Sequence, residues 1–329
     1  MLSITRSVGF GLAVAVLPVL TPAVVGAEVK VEKVSCLNLS NCLRLSNGQV
    51  EVVVTTDIGP RIIRYAFIGG ENILGEIGGK PGAAEWQAWG GHRVWIAPEG
   101  QPRSYGLDNS PIRHEAVGKN GIRLTQPVEP GSGIEKEMVV TLDETGSGVT
   151  VLHRLTNRGR AAFELAPWAL TIMNGGGTAI LPQEPYKTHE AALLPARALV
   201  LWHYSDLSDP RFKIGPKFIR LSTDASMKEP QKIGVMNKAG WAAYARKGTV
   251  FVKRYPWSDK GVYPDYGCNT EVYTSEMFIE VETLGPLTTL AVGKTAEHTE
   301  RWSLHKDVTL GTTEADVEKA IPALVASVK

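Results

Sequence analysis

Cysteine is scarce in this sequence, histidine is scattered, and neither sign of charge is in excess. Each shortage excludes something. Three cysteines in 329 residues are too few for a thiolate metal centre or a disulfide-built scaffold. The histidines, His92, His114, His153, His189, His203, His298 and His305, form no His-x-x-x-His or His-Glu-x-x-His pattern, so no metal and no other cofactor is expected. The 35 basic and 34 acidic residues cancel to +1, and no basic block gathers to neutralise phosphates, which argues against a nucleic-acid partner. Gly175-Gly176-Gly177 is not followed by Lys-Ser/Thr, and no Gly-x-Ser-x-Gly is present, so neither a phosphate loop nor a nucleophile elbow is written here. No internal repeat and no Pro- or Ser-rich linker divides the chain.

The one long apolar run stands at the N-terminus. Arg6 supplies a positive start, Val8 to Val25 is apolar and rich in small residues, and Val25-Gly26-Ala27 precedes the charged Glu28 and Lys30. This is the pattern of a signal peptide over residues 1–27. An uncleaved anchor is the competing reading, disfavoured by Pro18 and Pro22 within the run. The expectation is a secreted or periplasmic protein with no membrane span after cleavage, and residues 28–329 forming one domain. In an oxidising compartment Cys36 and Cys42, flanking Leu-Asn-Leu-Ser-Asn, are the expected disulfide, with Cys268 left over.

Beyond residue 28 the pattern is short and extended. Val50, Val52 and Val54 alternate behind Asn47-Gly48, a hairpin turn signal. Gly59 to Phe67 follows, and then strand candidates over 121–125, 135–142, 149–155, 163–172, 218–222, 232–236, 242–245, 249–255 and 277–283. The 34 glycines and 20 prolines suit many tight turns. Only the C-terminus predicts a helix: Thr312 or Thr313 can cap it, and Val317, Ala320, Ile321, Leu324 and Val325 recur at helical spacing. Many strands with almost no intervening helix predict an all-β fold, a sandwich or barrel.

Three stretches carry chemistry. Trp86 to Glu99 packs three of eight tryptophans with His92, Arg93 and Glu99. Indole faces cover the apolar side of a pyranose, while a few polar groups bind its hydroxyls. On a strand here, however, His92 shares a face with Val94 and Ile96, as a core histidine would, and Arg93 and Trp95 point the other way. Tyr263 to Tyr273 sets Asp265, Asn269 and Glu271 on a Pro/Gly loop. That loop could line a hydroxyl-rich ligand or be a surface turn capping its own backbone. Glu276 to Pro286 puts Met277, Ile279 and Val281 on one face and Glu276, Phe278, Glu280 and Glu282 on the other. The acidic face is either solvated or the wall of a concave site, where one carboxylate could act as a base.

Thr55-Thr56-Asp57-Ile58-Gly59-Pro60-Arg61-Ile62 with Gly69-Gly70-Glu71-Asn72, then Leu155-Thr156-Asn157-Arg158, then Glu280-Val281-Glu282-Thr283-Leu284-Gly285-Pro286 followed by Leu290, Gly293 and Trp302, resemble the galactose mutarotase-like (aldose 1-epimerase) superfamily in content and order. The resemblance spans about residues 40–306 and implies an antiparallel supersandwich that binds sugars on one concave sheet. It implies Glu282 as the base and His92 as the substrate-holding histidine. Arg93, Glu99, Asp265, Asn269 and Glu280 would contact a sugar or sugar acid, with Trp89 or Trp95 stacking on it; Arg93 suits a uronate. One departure stands out. The strand where the family keeps its acid histidine reads Pro167-Trp168-Ala169-Leu170-Thr171-Ile172-Met173-Asn174. The alternatives are a polysaccharide lyase or hydrolase, needing a second catalytic group near Glu282, and a non-catalytic envelope protein with a degenerate sugar site.

Overall fold

Alternation decides where each strand lies. Ile134–Leu142 and Val149–Asn157 bury every second residue, as strands with one face on a core must. Val50–Thr55 and His92–Ala97 are buried throughout, so they are covered on both faces. The computed structural model describes Met1 and residues 28–328; the signal peptide expected over residues 1–27 lies, apart from Met1, outside them.

The described strands form two large antiparallel sheets and a two-stranded pair of Glu76–Gly78 with Trp89–Gly90. The eleven-stranded sheet runs from Lys30–Cys36 through Leu39–Ser46, Val50–Thr55, Ile62–Phe67, His92–Ala97, Phe163–Asn174, Phe278–Leu284, Thr270–Thr274 and Gln231–Val235 to Leu199–Leu201, with Thr288–Leu290 beside Phe163–Asn174. The ten-stranded sheet contains Thr249–Arg254, Thr295–His305 and Val149–Asn157 at its centre. Their inner faces share one apolar core. Val52, Ile62, Ile233, Val272 and Val281 from the first sheet meet Leu124, Met138, Val151, Phe251 and Trp302 from the second, the packing of a sandwich. This is the all-β antiparallel supersandwich that the resemblance implied.

The helix is Glu314–Ser327. Thr313 caps it, accepting from the Asp316 amide while the Asp316 carboxylate accepts from the Thr313 amide, a reciprocal box. Val317, Ile321 and Val325 then pack on Ile180, Phe218, Trp241 and Val252 of the ten-stranded sheet. No described helix is long and apolar enough to cross a membrane.

The expected disulfide is corrected. A tight turn at Leu37 and Asn38, with φ of 48° and 65°, joins the strands carrying Cys36 and Cys42. Its register sets Cys42 opposite Val34 and Cys36 opposite Leu39. The two cysteines are therefore diagonal rather than facing, and both are free thiols, as is Cys268. Burial pushes the Cys42 thiol up to about 12.

Candidate functional site

Register assembles the site from five neighbouring strands. Leu170 pairs with Arg93 on one side and with Glu282 on the other, and Glu282 pairs in turn with Glu271. One step along, Glu280 pairs with Tyr273, and Tyr273 with Lys232. One step the other way, Trp95 pairs with Trp168. Period two places all of these on the outer face of the eleven-stranded sheet. Their neighbours His92, Val94, Thr171, Val281 and Thr283 take the inner face.

Lys232 Nζ lies 2.8 Å from Glu271 and 3.0 Å from Glu282 Oε2. The Trp168 indole N–H donates to that same Glu282 oxygen at 2.7 Å. The ammonium also sits 4.9 Å and 4.6 Å from the Trp168 and Trp202 ring centroids, within cation–π range. Burial opposes its charge, but Glu282 and Glu271 outweigh burial and hold Lys232 well above the ordinary lysine range. Burial pushes Glu271 above the usual carboxylate range, and the Lys232 ammonium opposes that shift.

Arg93 forms the second centre. Its guanidinium lies 4.2 Å from the Trp95 ring centroid and 4.7 Å from that of Trp86, and its Nε and Nη1 are buried without a hydrogen-bond partner. Burial, then Arg61, lower its pKa to about 9, which leaves it charged at neutral pH. Trp95 also packs on Trp168 and Tyr105, with centroids 5.3 Å and 4.8 Å apart. Glu280 is half-buried between the two centres and has no hydrogen bond or ion pair among the described residues. Burial, then Glu282, raise it to about 7.

The structure therefore brings together Arg93, Trp95, Glu280 and Glu282, with Glu99 at the exposed rim, where it accepts from the Tyr105 hydroxyl. Asp265 lines a neighbouring cavity of about 370 Å³ with Val200, Leu201, Trp202, His203 and Tyr266. Three expected residues are elsewhere. Trp89 is wholly buried among Leu39, Cys42, Val53, Ile58 and Ile63, so it cannot stack on a ligand. Asn269 is a buried staple, accepting from the Asn237 amide and donating to the Asn237 carbonyl. His92 lies behind the sheet, separated from Glu282 by the alternation of its strand. Sequence reasoning missed Lys232, Trp168 and Trp202. Lys232 and Trp168 alternate with core residues in their strands, but composition alone gives such positions no function.

His92 belongs to an interior circuit. Its Nε2 lies 2.7 Å from His153 Nε2, and its Nδ1 lies 2.8 Å from the Thr171 hydroxyl. His153 Nδ1 is 2.9 Å from the His298 carbonyl, which can only accept. This assigns His153 as donor there, His92 Nε2 as donor to His153, and Thr171 as donor to His92. Lys253 Nζ donates to Thr171 at 2.6 Å, the Val281 carbonyl at 3.0 Å and Glu300 at 2.9 Å. Trp302 Nε1 and Thr283 complete the Glu300 carboxylate, and Thr283 also contacts His298 Nε2 at 2.8 Å. Burial holds His92 well below the ordinary histidine value, lowers His153, and takes His298 to about 3. His92, His153 and Glu300 have the donor atoms of a metal trio. The fit fails as arranged, because the histidine nitrogens share a hydrogen bond and the Lys253 ammonium already supplies the cation.

A basic cleft of about 350 Å³ below the C-terminal helix is likewise engaged internally. Arg220 donates to the Thr312 carbonyl, Arg246 to the Gly175 carbonyl and Glu71, and Lys247 to Glu71.

No protein-family model and no curated protein matches the chain significantly. Solved structures do. A galactose mutarotase-like protein from Lactobacillus casei superposes with a TM-score of 0.52 at 13% identity, over 80% of this chain and 100% of that one. Another from Clostridium acetobutylicum gives 0.52 at 10% identity, over 85% and 99%. A TPR-domain containing protein from Parabacteroides distasonis gives 0.53 at 13% identity over 82% of this chain, which spans only 48% of that protein. At such identities the likeness speaks for the fold, and the fold of this chain is the galactose mutarotase-like sandwich.

Proposed function

We propose that this protein is exported and binds a sugar or sugar acid on the outer face of its eleven-stranded sheet, with aldose 1-epimerase-type chemistry as the reaction of the site. The observation that carries this reading is the set of unpaired polar atoms on an aromatic floor: Arg93 Nε and Nη1, Glu282 Oε1 and Glu271 Oε1 lack partners. An unsatisfied buried polar group costs about 1–3 kcal/mol, so four such atoms together favour a ligand that both donates and accepts. Sugar hydroxyls do both, and Trp95 and Trp168 offer the apolar faces a pyranose ring needs. Partly exposed Trp86 and Trp202, lying over Arg93 and Lys232, are the side chains an entering ligand displaces. The likeness to mutarotase-like proteins supports the ligand class by fold analogy.

Titration calorimetry with neutral aldoses and uronates, alongside tryptophan fluorescence, tests the reading. Saturable binding that Arg93→Ala weakens at least about tenfold, or about 1.4 kcal/mol, is the expected result. No binding by any sugar removes it. For export, the protein recovered from outside the cytoplasm should begin near Glu28 by mass.

A further inference from the structure

Resting on the sugar-site reading, we infer that Glu280, rather than Glu282, moves protons at this site, its single carboxyl group acting as acid and base at once. The two glutamates share a face but not a situation. Glu282 is wholly buried, and one of its oxygens is already taken by the Trp168 N–H and the Lys232 ammonium. It holds the lysine and the floor of the site in place. Glu280 is two residues away, only partly buried, and bonded to nothing among the described residues. A group that must meet substrate needs an unoccupied carboxyl within reach, and on this face Glu280 has it.

Its surroundings set its charge. Glu282 faces it from its own strand, Tyr273 from the adjacent strand, Lys232 from the strand beyond that, and Arg93 from the opposite side. Glu99 and Tyr105 face it from the loop after the Arg93 strand. Its partner on the remaining neighbouring strand, Ile172, is apolar. Burial and the Glu282 charge raise it, Arg93 and Lys232 hold it down, and it settles at about 7. Near neutrality the group is thus present in both protonation states.

The neutral carboxyl suffices for ring opening. Its carbonyl oxygen takes the proton of the anomeric hydroxyl while its hydroxyl gives a proton to the ring oxygen. The C1–O5 bond breaks, C1–O1 becomes a carbonyl, and the carboxyl group ends neutral with its two oxygens exchanged in role. Rotation about C1–C2 and the reverse transfer close the other anomer. No second acid is consumed or required, which accounts for a strand of Pro167 to Asn174 without histidine.

The test is anomer interconversion by NMR exchange on glucose, galactose and their uronates, across about pH 5–9. It uses the mature chain and its Glu280→Gln, Glu280→Asp and Glu282→Gln variants, with affinity measured in parallel. The assignment expects wild-type kcat to fall through one ionisation near pH 7 as the carboxyl deprotonates. Glu280→Gln should lose about 100-fold or more in kcat while affinity stays within about threefold. Glu282→Gln should shift the ionisation downward, since a neighbouring negative charge is gone. Retained kcat in Glu280→Gln, or a bell-shaped profile with two ionisations, overturns the assignment. Sugar binding without acceleration overturns it too but leaves the binding reading standing; absence of binding ends both.

Discussion

The charged side chains of this molecule are placed where mistakes are expensive. Lys253 and Glu300 are both wholly buried, 2.9 Å apart. Removing one partner leaves an uncompensated charge in the core, at about 3–5 kcal/mol. Lys253→Met should therefore lower the urea midpoint sharply, and adding Glu300→Gln should recover part of the loss; a double variant no better than the single one would contradict the pairing. Arg93 poses the opposite case. Its guanidinium sits within cation–π range of two indoles with Nε and Nη1 unbonded, and an ammonium cannot offer that planar fork of donors. Arg93→Lys should leave stability within about 1 kcal/mol yet weaken sugar binding as Arg93→Ala does, read by calorimetry against urea unfolding.

Among the elements, the Gly90-Gly91 pair explains the approach of the Arg93 strand to its neighbours. Gly91 has φ +66°, and a Cβ there would stand 2.2 Å from the Ile62 carbonyl oxygen; at Gly90 it would stand 2.1 Å from that of Gly75. The glycines admit backbone, not ligand. Gly91→Ala should destabilise by about 2–4 kcal/mol, measured by urea unfolding. Strands whose inward residues are aliphatic were legible in the sequence: 121–125 and 218–222 match their observed bounds, and the helix starts at the expected cap. Thr295–His305 was not, because its inward residues are His298, Glu300 and Trp302. A polar core writes no hydrophobic alternation, so the strand looks solvated until its partners are known. Lys232 was hidden differently, since it alternates with the core residues Ile233 and Val235 and an outward lysine reads as solvated, whereas Arg93 and Trp95 were separable from His92 by period two alone.

For the molecule as a whole, the interior circuit predicts sensitivity to acid. His92, His153 and His298 have folded-state values below the unfolded value of about 6.5. Above that pH the rings are neutral in both states and nothing is lost. As pH falls below it, the unfolded chain takes up protons that the folded one refuses. Stability should then drop by up to about 1.4 kcal/mol per pH unit for each ring, and for His298 the loss continues to about 3. Glu300 adds to the slope below the ordinary glutamate range: burial opposes its charge, but Lys253 together with His92, His153 and His298 outweighs burial and holds its carboxyl low. Urea midpoints measured between about pH 7 and pH 5 should fall steadily; a flat profile would rule out buried neutral rings.

Lys253 reaches through to the backbone of the Glu282 strand, donating to the Val281 carbonyl, and the Glu282 charge favours its ammonium from the far side of the sheet. A wall one polypeptide thick is a poor insulator. Whatever neutralises or screens the outer carboxylates is felt by the sealed cation behind them, and by reciprocity the interior biases what docks outside. Ligand occupancy should thus be readable as a change in thermal endurance that includes a contribution from residues no sugar ever touches.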